Sequence, residues 1–162
     1  MNSNQFLKYW LPLLIWIAVM FVSSTDVMSA EHTSRFILPL LFWIKPGMPA
    51  ETVLTIMFGL RKCAHVSEYA ILALLVFRAF NGTSSRGWSV WIFVVGAWMC
   101  CVFVAATDEF HQSFVPSRTA SARDVFLDSV GAFFGSVIGG CFAEHNSKKA
   151  RRKRGEVVVV EP

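Results

Sequence analysis

The sequence predicts an all-α polytopic membrane protein: four transmembrane helices, with an interfacial or re-entrant segment between the first two. Three observations carry this. Charged residues are only 16% of the chain against 54% hydrophobic, where a soluble domain carries about 25% charged. The mean hydropathy is +0.50. The charges are also gathered into groups, and the gaps between them suit helices of about 20 residues crossing roughly 30 Å of hydrocarbon. The same figures exclude other classes. Disorder requires low hydrophobicity, and 4 Cys in 162 residues, irregularly spaced, do not make a disulfide scaffold. The length fits one membrane domain, expected over residues 1–145, followed by a basic tail over 146–162.

The first span occupies the 17 uncharged residues from Tyr9 to Thr25 and is expected as a helix over 7–25. A cleaved leader is the alternative, with Leu11–Val22 as its apolar core and a site after Ser24. Its amino-terminal region would offer only Lys8, so a retained span is preferred. Phe36–Ile44 (FILPLLFWI) follows, nine apolar residues with Pro39 inside. That is too short to span, and Lys45-Pro46-Gly47 should end it. The second span, counted back from Phe80, covers 58–80 and carries Arg61, Lys62, His65, Glu68 and Arg78. The third uses the 21 uncharged residues between Arg86 and Asp108, over 87–107. Gly82 then reads as a glycine of the connecting loop. The fourth runs from Val125 to Ala143, with Asp128 its one charge. Cys63, Cys100, Cys101 and Cys141 fall in these apolar helices, where a buried, inert thiol is the default expectation.

Lys and Arg set the orientation. Four spans place both termini on one side, with nine basic residues: Lys8, Arg78, Arg86 and six in the tail, from Lys148 to Arg154. The other side holds six: Arg35, Lys45, Arg61, Lys62, Arg118 and Arg123. The termini are therefore expected in the cytoplasm, of a protein resident in the cell membrane. A basic run after a last helix ordinarily anchors topology and meets anionic headgroups. No motif beside it suggests nucleic acid.

Ionisable residues inside the expected spans are costly and must face protein or water. Arg61, His65, Glu68 and Leu72 are spaced i, i+4, i+7, i+11 and line one stripe, with Tyr69 beside Glu68. A second polar group, Thr107 to Arg118, includes Asp108, Glu109, His111 and Gln112 at the end of the third span. A third opens the last helix with Ser121, Arg123, Asp124 and Asp128. Asp124 and Asp128 share a face that continues into Gly131, Gly135 and Gly139, a small-residue run that admits a neighbouring backbone. Four spans bring all three groups to the same outer end. Some of this has an ordinary structural reading: Arg118 and Arg123 suit interface anchors, and Asp124 suits a helix N-terminus. Two acid/His groups at one end exceed what topology requires.

The stretch Arg61-Lys62-Cys63-Ala64-His65-Val66-Ser67-Glu68-Tyr69 resembles the R-K-x-x-H-x-x-E-Y signature of the VanZ-like membrane family. Asp108-Glu109-Phe110-His111-Gln112-Ser113-Phe114-Val115-Pro116-Ser117-Arg118, followed by Asp124 and Gly131, resembles its second pattern, D-E-x-H-Q-x-F-x-P-G-R … D … G. Ser117 stands where that pattern has Gly, which bears on the turn before Arg118. Two linked motifs in order, over residues 61–139, are far more specific than either alone. The resemblance implies a multi-helix integral membrane protein, and the family's namesake is associated with resistance to the glycopeptide teicoplanin.

Three functions compete. In the first, a polar pocket at the outer face binds or remodels an envelope lipid, a cell-wall precursor or a glycopeptide-type antibiotic. Arg61, Lys62, Arg118 and Arg123 would meet phosphate or carboxylate, with Tyr69 and Gln112 as further binding candidates. In the second, an enzyme at the same place uses His65, Glu68, Asp108, Glu109, His111, Asp124 and Asp128 for acid–base or metal-assisted chemistry on a lipid-linked substrate. No Ser or Cys is placed as a nucleophile, no cofactor motif is present, and spacing alone defines no metal-ligand set. In the third, Glu68 and His65 couple transport to protons. The first is favoured, because the charged groups are clear and a nucleophile is not. The expected partner is a membrane lipid or lipid-linked envelope component.

Overall fold

A computed structural model describes residues 3–24, 30–84, 87–114 and 121–154. Among these the chain forms helices and turns only: α1 (Ser3–Tyr9), α2 (Leu11–Ser24), α3 (Ala30–Ile44), α4 (Ala50–Thr83), α5 (Val90–Gln112) and α6 (Ala122–Lys153). Four stretches are long and apolar enough to cross a membrane: Ser3–Ser23, α4, α5 and α6. The first is broken at Trp10. Pro12 has no N–H for the carbonyl of Lys8, and its ring crowds that carbonyl, so the helix restarts after the break.

Every span is longer than its charge gap. α4 begins eight residues before the expected start, α5 continues through Gln112, and α6 runs on through the first half of the basic tail. Charge gaps measure the hydrocarbon a helix must cross, whereas backbone hydrogen bonding continues beyond it. In α6 the Glu144–Lys148 pair, 3.0 Å apart with i,i+4 spacing, supports the extension. The Phe36–Ile44 segment is also helical, as the second half of α3, with Pro39 inside. It does end at Ile44, and Gly47 turns the chain at a φ of 76° that suits glycine.

α4 and α6 lie side by side and parallel, and α5 packs antiparallel against both. Glycines set the closeness of the first pair: a Cβ on Gly131 or Gly135 would overlap the backbone carbonyl of Val66 or Ala70. Gly140 likewise receives the side chain of Val94 on α5. Ala73, Ala97, Cys101, Ala105 and Ala132 are wholly inaccessible at the centre, small side chains that let helices approach without a hydrophobic driving force. The amino-terminal helices pack at the edge. There the Tyr9 ring lies where a Cβ of Gly82 would go, so Gly82 is a packing position in the last turn of α4 and not a loop glycine.

The outward surfaces are apolar: Trp91, Val95, Met99 and Phe103 form an exposed stripe at every fourth residue of α5. The cysteines follow the same logic. Cys101 is buried, but Cys63, Cys100 and Cys141 are exposed. An apolar helix in lipid is hydrophobic all round, so hydrophobic context does not imply burial.

Candidate functional site

Because α4 and α6 are parallel, their polar residues meet level by level. Lys62 Nζ forms an ion pair with Asp124 at the first turn of α6. One turn further in, His65 Nδ1 lies 3.9 Å from Asp128 Oδ1. Tyr69 comes next along the same face of α4, only 1% exposed.

α5 supplies the third wall. Glu109, 6% exposed, accepts a hydrogen bond of 2.8 Å from the backbone N–H of Ser121. Ser121 is the N-cap of α6, its hydroxyl accepting from the N–H of Arg123 at 3.2 Å. A carboxylate from a neighbouring helix thus satisfies a group at a helix N-terminus, where negative charge is favoured. Gln112, also buried, donates to Asp108 at 2.9 Å. The carboxylates of Glu68, Asp108, Glu109 and Asp124 all lie within electrostatic reach of Asp128. The Tyr69 hydroxyl lies within reach of Asp108, Glu109 and Asp128.

Two tryptophans brace this arrangement from outside it. Trp98 Nε1 donates to the carbonyl of Ser129 at 3.0 Å, joining α5 to α6. Trp16 Nε1 donates to the carbonyl of Glu68 at 3.1 Å, joining α2 to α4. Neither is visible in the sequence as a site residue, since an indole in an apolar span reads as packing or as an interface anchor.

The structure therefore brings together Lys62, His65, Glu68, Tyr69, Asp108, Glu109, Gln112, Asp124 and Asp128. Arg61 is half-buried on α4. Arg123 is exposed and lines a shallow hollow with Ala122, Phe126 and Leu127. His111 is exposed on α5, with its ring against Phe21, centroids 5.5 Å apart. Two residues from Glu109, it points to the other side of the helix, so these two do not form the pair that their sequence proximity suggests. Arg118 lies outside the described residues.

Chemically, the cluster is rich in acceptors. Five carboxylates, Asp128 among them, gather with Lys62 and His65, and two buried polar atoms, Tyr69 Oη and Asp128 Oδ1, make no hydrogen bond among the described residues. No group of three or more His, Cys, Asp or Glu among the described residues is arranged to hold a metal ion. Among the described residues, the Ser129 hydroxyl donates to the carbonyl of Val125 at 2.6 Å, and that of Ser136 to the carbonyl of Ala132 at 2.9 Å.

No curated protein and no solved structure matches the chain. The VanZ/LLP1 family model matches residues 9–142, from the first span to the end of the apolar part of α6, and takes in the whole cluster. With four membrane-spanning helices and a match over most of its length, the chain is a multi-pass membrane protein that belongs to the VanZ/LLP1 family.

Proposed function

We propose that the protein binds or remodels an amphiphile at the outer face of the cell membrane, through the polar cluster between α4, α5 and α6. The amphiphile is an envelope lipid, a cell-wall precursor or a glycopeptide-type antibiotic, the last in keeping with the resistance associated with the family's namesake. One observation carries this reading: Tyr69 Oη and Asp128 Oδ1 are buried in an acid-rich cluster without a hydrogen bond among the described residues. A bundle built for stability alone would do as well with apolar residues in place of buried charges. A hydroxyl and a carboxylate oxygen without hydrogen bonds among the described residues, close to Lys62 and His65, suit a ligand that brings its own donors and an anionic group.

The test uses isosteric changes. Glu68→Gln and Asp128→Asn should abolish protection in a strain challenged with a lipoglycopeptide, or restore no envelope phenotype of a deletion strain, at normal membrane abundance. Loss of abundance in both variants would point to a structural cluster, because breaking a buried pair costs about 3–5 kcal/mol. Full function in both would remove the cluster from the reading.

A second reading has its own support. His65 and Asp128, 3.9 Å apart, suit an acid–base pair on a lipid-linked substrate. Mass spectrometry of membrane lipids from cells with and without the protein separates the two: a new or missing lipid species favours chemistry, an unchanged profile favours binding.

A further inference from the structure

α2, α5 and α6 all end near the level of the Lys62–Asp124 pair: Phe21 of α2 meets His111 of α5, and Glu109 meets Ser121. α4 does not end there. Twelve of its residues, Ala50 to Arg61, precede Lys62, about 18 Å of helix at 1.5 Å per residue. α3 precedes this segment and touches α4, and the two make a helical hairpin joined through Lys45–Pro49.

The hairpin is apolar on its free surface. Phe36 is 83% exposed and Trp43 81%, and Leu40, Ile44, Leu54 and Phe58 are also exposed. Over residues 34–60 the charges are Arg35, Lys45 and Glu51, the latter two flanking the turn. Such a patch is not stable in water. α3 is also too short to cross: its 15 residues reach about 22 Å against roughly 30 Å of hydrocarbon.

A second observation concerns the level of the cluster itself. Phe21, Phe58, Phe110, Phe114 and Phe126, on four different stretches of chain around it, all point outward and are mostly exposed. Trp and Tyr are the aromatics that favour the headgroup region; a girdle of phenylalanine suits hydrocarbon. Trp43 and Lys45, beside the hairpin turn, are the pair expected where lipid meets water. The length is compatible too. α4 is 34 residues long, about 51 Å, and a tilt of about 30° brings it within the ~45 Å of a bilayer with its headgroups.

We infer that the α3–α4 hairpin is embedded among the lipid chains of the leaflet on the cluster's side, so that the cluster lies beneath the headgroups and meets its ligand sideways from the bilayer. The lateral route rests on the binding reading above; the depth of the hairpin does not. Leaflet lipid is the occupant of the hairpin surface because its exposed apolar residues run on through Leu54 and Phe58 along α4, itself one of the membrane-spanning helices.

Single-cysteine variants of the full chain, with its own cysteines replaced, test the depth. Leu54→Cys, Phe58→Cys and Phe126→Cys alter exposed positions, and Lys45→Cys marks the turn. Each is labelled with a bimane fluorophore in vesicles of phosphatidylcholine and phosphatidylglycerol. Chain-labelled doxyl lipids should quench the first three strongly, and aqueous iodide should quench Lys45→Cys several-fold more than any of them. Iodide quenching of Leu54→Cys and Phe58→Cys equal to that of Lys45→Cys would overturn the inference. So would resistance to both quenchers that disappears on dilution with excess lipid, since it would assign the face to a second copy of the chain. A correct depth with full function in Glu68→Gln and Asp128→Asn would retain the hairpin's placement and remove only the ligand.

Discussion

At the scale of single residues, the cluster separates stability from function. Tyr69 carries a buried hydroxyl that receives no hydrogen bond among the described residues, and an unsatisfied buried polar group costs about 1–3 kcal/mol. Tyr69→Phe should therefore leave thermal stability in detergent unchanged or raise it, while weakening function if the hydroxyl meets ligand. A fall in stability would mean that the hydroxyl is satisfied in the folded protein. The Lys62–Asp124 pair differs, because both side chains are only partly exposed and each has its partner. Lys62→Met and Asp124→Asn should each lower stability by about 1.5–3 kcal/mol, as for hydrogen bonds to charged groups. The double variant should cost less than their sum, as measured by thermal aggregation. Strict additivity would show that the pair contributes nothing. His111 is the residue whose apparent role changes most on folding. Its exposed ring lies against Phe21, so His111→Ala should retain function at normal abundance, in contrast with Glu68→Gln.

At the scale of elements, the α4–α6 contact holds the polar residues in register. Gly131 and Gly135 place backbone against backbone, and each α6 residue one turn on then meets its α4 counterpart. Gly135→Leu should disrupt folding, since its side chain would have to displace the Ala70 carbonyl and the whole of α4 with it. Gly87 is the right comparison, having nothing within 4 Å of a Cβ. Gly87→Leu should behave as wild type when detergent-extracted protein is heated and its soluble fraction followed, and equal loss in both variants would remove the glycine face as a determinant. Gly82→Leu should fall between them, because the Tyr9 ring it meets is a side chain that can turn aside.

At the scale of the whole molecule, the distribution of Lys and Arg, nine on the side of the termini against six, predicts the orientation. Both termini should be cytoplasmic, with the stretch from Asp108 to Arg118 on the opposite side. A reporter fused after residue 162 should be active only in the cytoplasm, and one inserted within 112–120 only outside. Activity of the terminal fusion on the outer side would reverse the orientation and place the cluster in the inner leaflet.

The sequence by itself determined the class, the number of spans, the family and the polar residues that need an explanation, because each follows from local content. A gap between charges, a Pro-Gly turn and an ionisable group in an apolar run are legible without neighbours. Spacing along one helix also showed that Asp128 and the glycines share a face. Only the tertiary structure decided which helix that face meets, because partner and register depend on the carbonyls of Val66 and Ala70, which no side-chain pattern reports. It turned His65 toward Asp128 and His111 away from Glu109, and it exposed three of four cysteines. In a bilayer, hydrophobic residues face lipid as readily as core, so sequence separates polar from apolar far better than inside from outside.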